Sequence, residues 1–265
     1  MKRLSKTTRL VIIIAAVIVV IAVVIILVSS KSTSADTEAG VDYIKSREAK
    51  DTAAIENSIF LAHRDMLMAE INEDLEKDEN AVWKYLNEIN TVVMGDSRVV
   101  AFGNYEFLTW DKVLAEGGKT VYELPNHYEE LLAANPKIVV LAYGMNDIGW
   151  KSYVPEDLAS TLCGYVDVIQ EMLPEAYIYV NSIIPVLPFA YADVPTYGQT
   201  REWSEYIMNY CKERGYRTLE ITELVDSHQD MYWPDGIHFY PEFYPLWAKA
   251  ILMQYMQDSY NEAAE

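Results

Sequence analysis

Short apolar runs alternate with amphipathic stretches along the C-terminal two thirds of the chain. The apolar runs predict buried strands at Thr91–Met94, Lys137–Tyr143, Tyr177–Ser182 and Tyr216–Ile221. Apolar residues at helical spacing predict helices at Val121–Ala134, Pro155–Leu173, Gln199–Arg214 and Glu242–Tyr260. Near-continuous apolar strands separated by helices are typical of a parallel sheet with helices on both faces. The pattern therefore predicts an α/β fold.

The N-terminal third has a different pattern. Leu10–Val28 is a run of 19 residues drawn only from Leu, Val, Ile and Ala. As a helix it would reach about 28 Å, which is enough to cross the hydrocarbon of a bilayer. Residues 29–40 are rich in Ser, Thr and Ala and predict a linker. Helical spacing of apolar residues within 41–89 predicts a helical stalk or accessory helices, so the α/β domain is expected to occupy residues 90–265.

The distribution of basic residues predicts how the apolar segment would lie in a membrane. Residues 1–9 contain four basic residues, and only Lys31 follows the segment closely. By the positive-inside tendency, the N-terminus stays in the cytoplasm and the rest of the chain lies outside a plasma membrane that it crosses once. A cleaved signal peptide is the alternative, although its apolar stretch is usually shorter.

The chain beyond residue 31 is strongly acidic. It contains 40 acidic and 16 basic residues, a net charge of −24. Such a surface repels phosphate backbones, so we expect no nucleic-acid partner.

Neither the cysteines nor most of the histidines show metal-ligand spacing. Cys163 and Cys211 are the only cysteines, and each lies in an amphipathic stretch. Buried free thiols are favoured, and one disulfide is the alternative. We interpret His63, His127 and His228 as structural or surface residues, because none belongs to a motif such as H-E-x-x-H. We therefore expect neither a metal nor an organic cofactor.

Three short motifs contain the groups needed for acyl transfer by a serine. They are Gly95-Asp96-Ser97, Gly144-Met145-Asn146-Asp147 and Asp235-Gly236-Ile237-His238. The first two follow predicted strands, and sites in parallel sheets form at the carboxyl ends of strands. The order and placement of the motifs therefore favour one shared site.

The residue types in these motifs correspond to distinct catalytic roles. Ser97 can act as the nucleophile once His238 accepts its proton, and Asp235, three residues before the histidine, can orient the imidazole. Asn146 offers a side-chain donor for the oxyanion. Each motif alone also has a structural explanation: Ser97 as a helix N-cap, Asp235 in a turn, and Asn146 as a cap or turn residue. Asp147 is expected to brace its loop.

On these motifs the chain resembles the SGNH hydrolases, also called GDSL esterases and lipases. The resemblance covers roughly residues 90–260 and implies a flavodoxin-like, three-layer α/β/α domain. It implies that Ser97, His238 and Asp235 form the catalytic triad. It also implies an oxyanion hole formed by the Ser97 N–H, the Gly118 N–H and the Asn146 side chain.

Two residues beside these motifs are further candidates for contact with substrate. Arg98 stands where the family name has leucine, and it could meet an anionic or sugar-hydroxyl substrate. An exposed, solvated arginine is the favoured alternative. Asp147 is the second candidate. Aromatic residues around His238 could stack on sugar rings or acyl chains, although packing of the last helix is favoured for most of them; they are Tyr232, Trp233, Phe239, Tyr240, Phe243, Tyr244 and Trp247.

These observations lead to the hypothesis of a membrane-tethered serine esterase that removes an acyl group, with acetyl favoured, from a cell-surface glycan or a small ester. The tether motivates this substrate, because an enzyme held at the envelope meets glycans at high local concentration. An O-acyltransferase with the same triad and a non-catalytic surface-binding module are the alternatives.

Overall fold

The computed structural model describes residues 39–47, 55, 58–59, 61–152 and 154–263. The chain divides into two compact units, residues 1–65 and residues 66–265. In the first unit, the described residues are helical. The predicted membrane segment Leu10–Val28 lies outside the described residues. Within the described ranges, no helix has both the length and the apolar character needed to cross a membrane.

A five-stranded, wholly parallel sheet forms the centre of the second unit. Its spatial order is β2-β1-β3-β4-β5. The strands are β1 (Thr91–Gly95), β2 (Val113–Ala115), β3 (Ile138–Ala142), β4 (Tyr177–Asn181) and β5 (Thr218–Leu219). The α/β prediction is confirmed, and all four predicted strands are present. The fourth is shorter than expected, and β2 was not predicted because three residues are too few to show a periodic pattern.

The predicted helices are present with some differences at their boundaries, and two further helices, α3 and α7, had no predicted bounds. They are α1 (residues 66–77 of the second unit), α2 (Ala81–Ile89), α3 (Ser97–Asn104), α4 (Tyr128–Ala134), α5 (Pro155–Met172), α6 (Thr200–Glu213), α7 (Thr222–Asp226) and α8 (Phe243–Ala263). The helix predicted at Val121–Ala134 is divided into a 3₁₀ segment, Val121–His127, followed by α4. Pro125 lies inside the 3₁₀ segment, where its missing N–H disfavours a continuous α-helix.

Alternate residues of each central strand face two separate apolar cores. In β1, Val92 and Met94 belong to one core, which includes buried residues of α5 and α6. Val93 belongs to the other core, together with residues of α2, α3 and α8. Side chains that alternate across a strand therefore produce a helical layer on each face of the sheet.

Residues 66–89 are part of this second unit. Four of their apolar side chains are buried in the core shared with α3 and α8: Ile71, Leu75, Val82 and Leu86. The Tyr85 hydroxyl also donates a hydrogen bond to Asp74 Oδ2 at 2.7 Å, which links α2 to α1. Residues 66–89 of the segment 41–89, which the sequence predicted to be helical, therefore pack with the α/β domain.

Candidate active site

Ser97 lies at the carboxyl end of the sheet, as the first residue of α3 directly after β1. Gly95 permits this arrangement because a Cβ there would lie 2.5 Å from the Ala142 carbonyl oxygen of β3. The Asp96 side chain then caps α3 by accepting a hydrogen bond from the Arg98 N–H at 3.0 Å. The tight turn and its cap leave the Ser97 side chain half-buried at the edge of the site.

Arg98 does not have the exposed position that its charge suggested. It is only 3% exposed, and its guanidinium donates to the Ile184 carbonyl oxygen at 2.7 Å and pairs with Asp96 Oδ2 at 3.5 Å. Both the expected solvated arginine and the expected substrate contact are therefore wrong. The buried ion pair instead holds the turn that presents Ser97, because an arginine fork can bind a carboxylate and a carbonyl together.

His238 lies at the end of a tight loop that Asp235 organises. Asp235 Oδ1 accepts hydrogen bonds from the Ile237 N–H at 2.9 Å and the His238 N–H at 3.0 Å. Gly236 adopts φ +69°, and a Cβ there would lie 2.7 Å from the Phe189 ring, so the turn requires glycine. The Trp233 N–H donates to the His238 carbonyl at 2.7 Å and closes the loop.

The loop brings a serine, a histidine and an aspartate into one hydrogen-bonded row. His238 Nδ1 lies 2.7 Å from Asp235 Oδ2, and His238 Nε2 lies 2.8 Å from Ser97 Oγ. A proton on Nδ1 satisfies the carboxylate and leaves Nε2 free to accept the serine proton. Burial acts to raise the pKa of Asp235, but the hydrogen bonds from the His238 ring and the two backbone N–H groups outweigh it and lower the pKa.

The two remaining oxyanion-hole candidates lie on adjoining loops. The Asn146 side chain donates one amide N–H to the Lys119 carbonyl at 3.0 Å, next to Gly118. That bond fixes the plane of the Asn146 amide and leaves the second N–H of the amide free to donate to another acceptor. Gly118 and Asn146 line one cavity together, whereas Gly117 lines the cavity that contains Ser97. The roles of Asn146 and Gly118 in binding an oxyanion remain predictions.

Asp147 braces the loop beside Asn146, as the sequence suggested. Its side chain is fully buried, and Oδ1 accepts the Val121 N–H at 3.0 Å. Within the described residues, its Oδ2 has no hydrogen-bond partner. Burial raises the pKa of Asp147 to about 7. The hydrogen bond from the Val121 N–H acts to lower this pKa, whereas repulsion by the Asp96 and Glu123 carboxylates raises it further. A fully buried carboxyl cannot touch substrate directly, so the expected substrate contact is wrong.

The raised pKa of Asp147 makes stability depend on pH. A carboxyl with a raised pKa binds its proton more tightly in the folded state, so this contribution favours folding below about pH 4 and is lost as the pH rises to about 7. Asp147→Asn removes the buried charge. We expect the free energy of urea unfolding of the variant, relative to that of the wild type, to be larger at pH 8 than at pH 5 by on the order of 2 to 3 kcal/mol. Equal differences at the two pH values would contradict this assignment.

Two cavities of different character flank the serine. One, of about 320 Å³, is lined by Ser97 and His238 at its polar end and otherwise mainly by apolar surface from α3, Trp233, Phe239 and Tyr244. The other, of about 370 Å³, is more open and more polar, and it is lined by Asn146, Gly118, Trp150 and Tyr197 among others. The consecutive residues Gly117 and Gly118 line one cavity each, so the two cavities adjoin at this loop.

The residues that line the apolar cavity from α3 were not recognised in the sequence. They are Val100, Ala101, Asn104 and Tyr105. They follow Ser97 at intervals of three, four, seven and eight residues, which places them on the face of α3 that carries the serine. The interval was a usable signal, but α3 itself was not predicted.

Most of the aromatic residues around His238 lie in the core, as the sequence analysis favoured. Phe239, Phe243, Tyr244 and Trp247 are fully buried, whereas Trp233 is 42% exposed.

The other candidate ligands do not assemble into a metal site in the described part of the chain. No cluster of three or more histidine, cysteine, aspartate or glutamate side chains with suitable placement occurs there. Cys163 of α5 and Cys211 of α6 are both buried free thiols, as predicted, and their sulfur atoms share a hydrogen bond of 3.4 Å.

Comparison with known proteins agrees with this architecture. The structure is similar to a GDSL-like lipase from Bacteroides thetaiotaomicron, with a TM-score of 0.52 and 15% identity over 71% of this chain and 97% of that one. It is also similar to a lipase/acylhydrolase from Enterococcus faecalis, with a TM-score of 0.50 and 14% identity over 64% of this chain and 96% of that one. At these identities the likeness concerns the fold. A search of curated proteins returned no match.

The sequence itself identifies the family. The sequence model of the GDSL-like lipase/acylhydrolase family matches residues 96–246. That span is more than half of the chain, and it includes the turn that carries Ser97, the Asn146 loop and the Asp235–His238 loop. The chain therefore belongs to the GDSL-like lipase/acylhydrolase family, whose members are ester-hydrolysing enzymes.

Proposed function

We propose that the chain is a serine esterase in which Ser97 is the nucleophile, His238 the general base and Asp235 the residue that orients the histidine. The observation that supports this proposal most strongly is the unbroken row of hydrogen bonds, 2.8 Å from Ser97 Oγ to His238 Nε2 and 2.7 Å from His238 Nδ1 to Asp235 Oδ2. Each link has the length of a good hydrogen bond, and together they activate a hydroxyl that is otherwise a poor nucleophile.

The same row accounts for both half-reactions. Ser97 Oγ attacks the ester carbonyl carbon while its proton moves to His238 Nε2, and the tetrahedral oxyanion forms next to the Ser97 N–H, Gly118 and Asn146. The imidazolium then gives the proton to the leaving alcohol as the carbon–oxygen bond breaks. A water molecule, deprotonated by His238, attacks the acyl-enzyme and releases the carboxylic acid and free Ser97.

The proposed substrate is an acyl ester of a glycan or of another small alcohol. The open cavity beside Asn146 supports a carbohydrate, because Trp150 and Tyr197 offer aromatic faces among polar groups. The match to a family of acylhydrolases does not favour the acyltransferase or the binding module.

An assay with a chromogenic acetyl ester, run with and without glycan acceptors, tests this function. We expect acetate release that requires Ser97 and is unchanged by acceptors. Acetylated glycan as the main product would indicate a transferase. Neither product, in a folded protein whose Ser97 resists a phosphonate reagent, would exclude the proposed function.

We also propose that residues 10–28 cross the plasma membrane once and that the esterase domain lies outside. The motive is the basic cluster before an uninterrupted apolar run. Protease added to intact cells is expected to digest the chain after about residue 32 and to spare an N-terminal tag. Protection of the esterase domain would contradict this orientation, and a mature N-terminus near Asp36 would favour a cleaved signal peptide.

A further inference from the structure

The apolar cavity beside Ser97 offers few polar partners to a ligand. Tyr105 donates its hydroxyl to the Phe239 carbonyl at 3.2 Å, and Tyr244 donates its hydroxyl to the Arg98 carbonyl at 3.0 Å. These tyrosines therefore present carbon surface to the cavity, although each carries a hydroxyl. Such a cavity selects an apolar group, because a polar group inside it would lose its hydrogen bonds to water.

The size of this cavity exceeds what an acetyl group needs. Its volume is about 320 Å³. A carbon group of roughly the size of a water molecule occupies about 30 Å³, so the space corresponds to on the order of ten such groups. The methyl of an acetyl ester would fill a small part of it and leave most of the apolar wall without contact.

The two cavities together match the two halves of an ester. The tetrahedral centre must form at Ser97, which lines the apolar cavity, while the predicted oxyanion donors Gly118 and Asn146 line the open one. A substrate held there places one substituent in each cavity. An alkyl chain suits the apolar cavity, and a hydroxyl-rich alcohol suits the open cavity with Trp150 and Tyr197.

We infer that the apolar cavity binds the acyl chain of the substrate, and that this chain is an alkyl group of roughly six to ten carbons rather than acetyl. The chain extends from Ser97 into the cavity, whose apolar wall includes Ala101 and Trp233. This inference rests on the proposed esterase function. It replaces acetyl as the favoured acyl group and leaves the alcohol half in the open cavity.

A series of p-nitrophenyl esters with acyl chains of two, four, six and eight carbons tests the inference, because only the acyl half changes. The full-length protein is assayed in one non-ionic detergent at constant concentration. We expect kcat/KM to rise about threefold for each methylene that enters the cavity. A value that is highest for acetate and falls with chain length would overturn the inference.

Filling the cavity should reverse this preference. Ala101→Phe places a ring against the chain, and we expect it to lower the ratio of kcat/KM for the octanoate to kcat/KM for the acetate at least tenfold. Ala133→Phe is the matched control, because Ala133 lies exposed on α4 and outside both cavities. Asn104→Phe is a second test that does not depend on core packing, since Asn104 is exposed at the cavity wall. Equal losses for acetate and octanoate in both filling variants would overturn the inference.

A second ester series separates the acyl half from the alcohol half. Acetate esters of alcohols with two to eight carbons keep the acyl group constant. If Ala101→Phe impairs long-alcohol acetates and spares long acyl chains, the cavity binds the alcohol and the inference is wrong. Ser97-dependent acetate hydrolysis without any chain-length preference would overturn the inference alone. Failure of every ester together with no phosphonate labelling of Ser97 would overturn the esterase function as well.

Discussion

Ser97→Ala and His238→Ala are each expected to lower the turnover of a chromogenic ester by on the order of 10³-fold or more, with the fold intact. Ser97 Oγ and His238 Nε2 lie 2.8 Å apart and act as one proton-transfer unit, so the loss of either removes the activated nucleophile. The double variant should be no slower than the single variants. Initial rates at saturating and limiting substrate measure the effect.

Matched histidine and spectroscopic controls make this result interpretable. His63→Ala removes an exposed histidine far along the chain from the three motifs, and it should leave the rate unchanged. Circular dichroism shows whether each variant remains folded. A rate near that of the wild type in folded Ser97→Ala or His238→Ala would refute the triad.

Asn146→Ala is expected to lower kcat by about 10²- to 10³-fold and to change KM little. The amide is held by its hydrogen bond to the Lys119 carbonyl at 3.0 Å, so it is oriented before substrate arrives. Its donor is most valuable when negative charge develops on the carbonyl oxygen, and the loss should therefore fall on the transition state. Steady-state kinetics separate the two parameters, and slower labelling of Ser97 by a phosphonate should accompany the lower kcat.

Two further variants distinguish an oxyanion donor from a structural cap. Asn146→Asp should be as damaging or worse, because a carboxylate repels the developing charge. Asn87→Ala is a control, since Asn87 also donates its amide to a backbone carbonyl, that of Trp83, but on the exposed face of α2. It should leave kcat unchanged. A raised KM with unchanged kcat in Asn146→Ala would show that the residue positions substrate or caps its loop.

The parts of the site that depend on neighbours in sequence were predictable. Asp235 accepts the N–H groups two and three residues ahead of it, and this turn aims its second oxygen at the His238 ring. Four consecutive residues specify that geometry, including the glycine whose φ is positive. The parallel sheet was likewise indicated by apolar runs, because a strand covered on both faces must be apolar throughout.

Burial of charged residues was not predictable in the same way. Arg98 follows Ser97 and carries a charge, which in a sequence favours exposure. Its guanidinium is buried where it binds the Ile184 carbonyl, which lies 86 residues further along the chain, just beyond β4. Asp147 is similar, since the Val121 N–H that it binds lies 26 residues away.

Side-chain periodicity and contacts within a few residues were enough to predict the alternation of strands and helices, the candidate reactive groups and the local turns that present them. The contact of His238 with Ser97 across 141 residues and the apolar cavity beside the serine could be seen only in the folded chain. The same is true of the buried positions of Arg98 and Asp147. Distance, burial and cavity shape arise from the packing of segments remote in sequence, and no local pattern encodes that packing.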